Sequence, residues 1–285
     1  MSKILIIDGA NFMYRARAGF QLGDFNVVYN FVRNLRSLVE QMAPTRVYFT
    51  LEGAPRRQLE KLPTYKANRI GRDDHQEGKR SEEDYRRQNQ IIVRILEHML
   101  PVTVVQHPDF EADDLIYNLI KRSSSAIEWT VVSTDSDFIQ LLQQFSNVKL
   151  YNPVTKKYVQ APDYEYVVWK ALRGDGSDNI PGIPGIGDVR ATELANDYDE
   201  LCRLRANATF EEQFKRNFDL IHFQAWSDEE ALKMRSSGAP RNWDLIKEQF
   251  EDMAFKSMLK EGTWDKFVAT FDPLWGPSED APKTV

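Results

Sequence analysis

Residues 3–7 (Lys-Ile-Leu-Ile-Ile) run apolar without alternation, the pattern of a strand buried on both faces. Phe25, Val28, Phe31, Val32, Leu35, Leu38, Val39 and Met42 then recur at helical spacing, which predicts a helix over 24–42, closed by Pro44. Residues 46–51 (Arg-Val-Tyr-Phe-Thr-Leu) predict the next strand. From 53 to 80 the period is lost, and Gly53, Pro55, Pro63, Gly71 and Gly78 break the stretch. A long irregular stretch inside a globular domain is usually functional or disordered. Ser81-Glu82-Glu83-Asp84 resembles a capping box, and Ile91, Ile92, Ile95, Leu96 and Met99 predict a helix from it to about Met99, stopped by Pro101. Strands at 102–105 and 129–133, helices at 112–122 and 136–144, and an edge hairpin at 148–151 and 156–159 complete this part.

Strands alternating with helices predict an α/β class: a central, mostly parallel sheet covered on both faces. Ligands gather at the carboxyl ends of the strands in such sheets. From about 162 the pattern changes to short helices, at 163–173, 188–197, 209–224 and 241–260. The expected division is an α/β core over 1–161, a helical region over 162–276 and a flexible tail over 277–285.

Nine carboxylates sit in five short islands, most beside glycine or at the end of an apolar run. They are Asp8, Glu52, the Glu111, Asp113 and Asp114 of Glu-Ala-Asp-Asp, Asp135 and Asp137, and Asp175 and Asp178. An acid that ends a buried strand is costly unless its charge is compensated. Hard divalent cations such as Mg²⁺ and Mn²⁺ take oxygen ligands, and the four histidines do not cluster, so a His-based zinc site is not expected. Taken alone, the acids at 111–114 are explained by the positive end of a helix, and Asp135 and Asp137 by a turn. Asp8 is harder to explain so, and the convergence of Asp8, Glu52 and Asp135 past three strand ends points to metal-assisted chemistry on phosphate.

The 285-residue chain carries a net charge of −6, which argues at first against a nucleic-acid partner; without the nine acids it would be +3. Residues 55–95 hold eleven Lys and Arg against seven acids. An acidic centre beside a basic stretch suits a phosphodiester backbone. Lys66 stands where a cation could stabilise charge on a phosphate, Tyr65 where a ring could stack on a base, and Arg15 close behind the first acid. Gly182-Ile183-Pro184-Gly185-Ile186-Gly187 between two short helices predicts a helix–hairpin–helix over 163–197, whose Gly182, Gly185 and Gly187 let backbone N–H groups approach phosphate. A single cysteine, Cys202, excludes an internal disulfide and fits a cytoplasmic protein. The apolar run before Asp8 is too short for a signal peptide, and no stretch predicts a membrane span.

With these motifs in hand, the chain resembles the 5′-nuclease superfamily, which comprises bacteriophage 5′→3′ exonucleases and flap endonucleases and the N-terminal nuclease domain of bacterial DNA polymerase I. The resemblance rests on Asp8-Gly9-Ala10-Asn11 through Ala16, Tyr65-Lys66-Ala67-Asn68-Arg69, Glu111-Ala112-Asp113-Asp114, Ser133-Thr134-Asp135-Ser136-Asp137 and Gly174 through Gly187, in family order; Lys215-Arg216-Asn217 with Leu220 also resembles a late family element. It implies a helical arch over about 54–90 through which a 5′ single strand passes. Asp8, Glu52, Glu111 and Asp113 would serve one metal, and Asp135, Asp137, Asp175 and Asp178 a second, with Asp114 in support. Lys66 and Arg69 would contact the scissile phosphate, and the hairpin at 181–187 would grip duplex DNA and hold K⁺. The family usually has Asp where Glu52 stands. It often has Lys after the hairpin, where only Arg190 can supply the charge here.

The resemblance implies a Mg²⁺- or Mn²⁺-dependent structure-specific 5′ nuclease, a monomer acting on flaps, nicked or gapped DNA and RNA-primed ends in replication or repair. With no polymerase sequence beyond residue 285, a free-standing, phage-encoded enzyme of the host cytoplasm is expected. The competing readings are a PIN-type ribonuclease, which the helix–hairpin–helix argues against, and a catalytically silent DNA-junction binder.

Overall fold

The computed structural model describes residues 2–20, 23–69 and 78–276, with the backbone alone at 69 and 78–81. β1 (Lys3–Asp8) leads into α1 (Gly9–Ala16), α2 (Asn26–Met42) and β2 (Arg46–Leu51). α3 (Arg56–Lys61) and a 3-10 turn at Ala67–Arg69 precede α4 (Gly78–His98), β3 (Thr103–Gln106), α5 (Ala112–Lys121) and β4 (Glu128–Val132). A 3-10 turn at Ser136–Phe138 opens α6 (Ile139–Gln144), followed by the hairpin of β5 (Val148–Asn152) and β6 (Lys157–Val159). Then come α7 (Tyr166–Arg173), α8 (Asp188–Asn196), α9 (Tyr198–Arg205), α10 (Ala208–Ile221), α11 (Asp228–Ala231), β7 (Arg235–Ser237), α12 (Trp243–Asp252) and α13 (Thr263–Phe271).

The strands form one seven-stranded sheet in the order β6-β5-β4-β1-β2-β3-β7. The five central strands are parallel, and β6 and β7 run antiparallel at the two edges. The unbroken apolar run of β1 is explained by burial on both faces. Leu5 and Ile7 join the core under α2 and α4, whereas Ile4 and Ile6 join the core under α5 and α6. In the first core Phe31 of α2 meets Phe12 and Phe49 edge-on, at ring centroid distances of 5.5 and 5.6 Å. A third cluster lies among α7, α8, α9 and α10 and takes in Tyr65.

The structure departs from expectation in particular places. α1 has little apolar period and starts because the Asp8 carboxylate accepts the Asn11 N–H at 3.2 Å. α4 begins at Gly78, before Ser81, so the anticipated capping box is not its start. The helix expected over 241–260 stops at Asp252, and Ala254 adopts a left-handed φ of 57° just beyond. β7 carries no apolar residue and exists only by pairing with the edge of β3, Val104 facing Ser237. The stretch expected as one helical region over 162–276 therefore returns to the sheet: Phe250, Phe267 and Phe271 complete the first core, and α13 packs on α2. The middle of the expected arch (70–77) and the expected tail (277–285) lie outside the described residues.

Replacing Phe31 by Ala should cost about 3–5 kcal/mol, because the ring is fully buried between two others and the cavity cannot collapse. Urea unfolding checks this; a loss below about 1 kcal/mol would contradict the packing described.

Candidate metal centre

The acids meet at the carboxyl edge of the parallel sheet. Asp8 ends β1 and pairs in register with Thr50, so Glu52 lies just past the end of the neighbouring strand. On the other side Ile7 pairs with Val132, which puts Ser133 beside Asp8; the Ser133 hydroxyl donates to Asp8 Oδ2 at 2.7 Å. Thr134 Oγ1 accepts from Asn11 Nδ2 and from Arg15 Nη2, both at 2.7 Å, which ties α1 to the loop carrying Asp135. Gly9 is required here: a Cβ on it would lie 2.1 Å from the Thr50 carbonyl oxygen.

The start of α5 delivers the next acids. Glu111 is the N-cap residue, yet its side chain makes no capping bond; Glu52 Oε2 accepts the Ala112 N–H instead, at 3.0 Å. Glu111 turns to the segment before α4, where it accepts from Lys66 Nζ at 2.5 Å and from the Tyr65 hydroxyl at 3.0 Å. Asp8, Glu52, Glu111, Asp113 and Asp135 thus line one cleft of about 370 Å³ together with Lys66, Asn11 and Tyr14. Asp137, Asp175 and Asp178 form a second group, each offering an oxygen within 4.8 Å of the others. Tyr65 joins the two groups, its hydroxyl also reaching Asp178 Oδ2 at 3.1 Å.

Tyr65 is buried with its third-cluster neighbours, so its ring is not available to stack on a base as expected. Asp114 turns away from the cleft and accepts from Gln58 Nε2 at 3.3 Å and from the Gln224 N–H at 3.0 Å, a structural anchor between α3 and the chain after α10. Arg15 does not line the first cleft; it lines a separate cavity with Arg33, Arg36 and Tyr151, and its Nε donates at 3.1 Å to Oδ1 of Asn11, which does line the cleft. Arg190 is held in ion pairs with Glu193, at 2.9 Å, and Glu200, so its charge is compensated within the protein. Arg69 closes the 3-10 turn at 67–69, and its side chain lies outside the described residues.

The expected helix–hairpin–helix is formed by α7, the loop 174–187 and α8. Gly174 has a φ of 80°, and a Cβ on Gly182 would lie 2.1 Å from the Arg173 carbonyl oxygen, so the loop closes on itself through glycine. Gly185, with a φ of 82°, and Gly187 face open space. Asn217 of α10 is fully buried and donates to the carbonyls of Ala171, at 3.0 Å, and Pro181, at 2.7 Å, fixing the loop from behind.

Two connections were not foreseen from the sequence. The segment 64–68 is stitched to the loop 176–179: the Lys66 N–H donates to the Asp178 carbonyl at 3.0 Å, Asn179 Nδ2 to the Thr64 carbonyl at 2.8 Å, and Asn68 Nδ2 to the Gly176 carbonyl at 2.7 Å. Lys66 and Asn179 both sit in the left-handed region, with φ of 54° and 59°. The second connection is Lys170 of α7. Its buried ammonium donates to Asp137 Oδ1 and, at 2.7 Å, reaches Asp175 Oδ2.

Burial pushes the Asp8 carboxyl up to about 6, against the pull of Ser133 and the Asn11 N–H. Burial likewise raises Asp137 to about 7 in spite of Lys170. Asp113 is raised well above the usual range by burial, with Glu111 and Asp114 adding repulsion. Asp175 goes the other way: burial opposes its charge, but Lys170 and the Ser177 N–H and hydroxyl hold it below the usual range. An all-oxygen donor set with carboxyls under strain from their own charge fits a hard divalent cation.

The model of the 5′-3′ exonuclease N-terminal, resolvase-like domain matches residues 3–170, and that of the 5′-3′ exonuclease C-terminal SAM fold matches residues 161–229. DNA polymerase I of Mycobacterium bovis is 28% identical; the match covers 95% of this chain but 32% of that protein, so the chain spans about a third of the length of this relative. A 5′-3′ exonuclease of Aquifex aeolicus is 26% identical, with 92% of this chain and 95% of the relative covered. The fold is similar to that of a bacteriophage T5 flap endonuclease solved with DNA and metal ions, with a TM-score of 0.65, 19% identity, and coverage of 96% of this chain and 99% of that one. Among the described residues no helix is long and apolar enough to cross a membrane.

The raised carboxyls fix a pH dependence. Folded Asp8 and Asp137 hold protons that the unfolded chain releases near the ordinary aspartate value of 3.8, so their contribution to stability is present below that value and is lost as pH rises through about 6 and 7. In EDTA the melting temperature should fall between about pH 5 and about pH 8, and Mn²⁺ should raise it more at the higher pH. A melting temperature in EDTA that rises across that range would contradict the assignment.

Proposed function

Because the chain belongs to the 5′-3′ exonuclease family, we propose that it is a divalent-metal-dependent structure-specific 5′ nuclease that hydrolyses DNA phosphodiesters at flaps, nicks and gaps. The observation that supports this most is the sharing of one cleft by Asp8, Glu52, Glu111, Asp113 and Asp135, with Lys66 at its rim. Asp8, Glu52, Glu111 and Asp113 would hold one ion, and Asp137, Asp175 and Asp178, with Asp135 between the groups, a second; Mg²⁺ or Mn²⁺ suits these ligands. Bound there, such ions lower the pKa of a water and stabilise the charge on a leaving oxygen.

The chain's own residues supply the rest. Lys66 comes from the segment that leads to the expected arch, and its ammonium can leave Glu111 for a phosphate oxygen brought into the cleft. Arg69, in the turn that follows Lys66, and Arg15, which bonds the cleft residue Asn11, are the further candidates for phosphate. Ser133 and the Asn11 N–H keep the Asp8 carboxylate turned inward. The open backbone at Gly185 and Gly187 suits the phosphates of a duplex and a K⁺ ion, and the engaged Arg190 adds little charge to that grip.

Asp135→Asn and Lys66→Ala, each tested on a 5′-flap duplex with Mg²⁺, should lower turnover by at least about 10²-fold. Wild-type turnover by both variants would refute the assignment.

A further inference from the structure

The second acid group already contains a cation. Lys170 reaches two of its three carboxylates, Asp137 and Asp175, and its side chain is buried with theirs. The position is set from the fold side. Ala171 and Leu172 next to it are fully buried, and Asn217 holds the Ala171 carbonyl. The ammonium is thus delivered by a helix fixed in the third core rather than by a loop.

The first cleft is different. Lys66 bonds Glu111 closely and lies 3.8 Å from Asp178, but among the described residues no ion pair engages Asp8, Glu52, Asp113 or Asp135. A divalent ion entering there meets one carboxylate bonded to an ammonium, Glu111, beside Asp8, Glu52, Asp113 and Asp135, which among the described residues have none. A divalent ion entering the second group must take oxygens that Lys170 already holds, and it is repelled by that charge while it does so.

We infer that Lys170 is a tethered counter-ion of the second acid group: it holds Asp137 and Asp175 together when no metal is bound and competes with a divalent ion for them. The two ions therefore bind unequally, and the second binds as the ammonium is displaced. Lys170 is a positioning residue in this account, acting on the ion through its carboxylates. The inference rests on the metal-dependent reading above.

Titration of the full chain with Mn²⁺, followed by electron paramagnetic resonance, tests it without any cleavage assay. The wild type should bind two ions in classes at least about tenfold apart in affinity. Asp175→Asn should abolish the weaker class. Lys170→Met should tighten that class by about tenfold or more and leave the first unchanged. In EDTA the same variant should melt lower than wild type, with the loss recovered by Mn²⁺. Two equally tight ions in the wild type, a weaker class that survives Asp175→Asn, or loss of the second ion in Lys170→Met would each overturn the inference while leaving metal dependence intact. Should Lys170→Met not fold, the wild-type and Asp175→Asn titrations still decide. Binding of no ion at all would overturn the metal-dependent reading and this inference with it.

Discussion

Negative charge crowded at one edge of the sheet is the constraint to which the rest of the structure answers. Parallel pairing of β1 with β2 and β4 brings Asp8, Glu52 and Asp135 together, because Asp8 ends β1 and the other two follow the ends of the strands on either side of it. Burial strips these carboxylates of water and, to a lesser extent, they repel one another; the raised Asp8, Asp113 and Asp137 record that cost. Something positive has to answer it. Among the described residues two lysines do so, Lys66 between Glu111 and Asp178 and Lys170 between Asp137 and Asp175. Each bridges acids from segments far apart in the chain, so the ion pairs are also the clamps that define the site's shape.

The clamps tie the chemistry to the two parts expected to meet a nucleic acid. Tyr65 and Lys66 come from the stretch that leads into the expected arch, and Asp175 and Asp178 from the loop of the helix–hairpin–helix. Three hydrogen bonds between residues 64–68 and 176–179 make them one unit. Tyr65 carries this furthest, being packed among the helices of the third cluster while its hydroxyl touches acids of both groups.

Much of this was legible in the sequence, for physical reasons that also mark where legibility ended. A buried parallel strand reads as an unbroken apolar run, and an acid that ends such a run stands out, so Asp8 and the sheet edge could be read directly. Glu111 and Asp113 could be found as a cluster, but neighbouring positions on a helix face different ways, and only the fold shows Asp114 turned to Gln58 and Gln224. Lys170 carries no signal: a lysine in an eight-residue helix reads as a solvated charge, and its burial is decided by partners at 137 and 175. Tyr65 was misread because an aromatic residue in an irregular basic stretch looks exposed. β7 was missed because Arg-Ser-Ser has no strand character apart from the edge it completes.

The central claim is that these separated acids share cations. Anomalous diffraction from crystals grown with Mn²⁺ tests it most directly. The account predicts strong peaks inside the cleft bounded by Asp8, Glu111, Asp113 and Asp135 and beside Asp137, Asp175 and Asp178, with carboxylate oxygens at coordinating distance. Peaks confined to the outer surface, with the carboxylates still held only by Lys66 and Lys170, would contradict it.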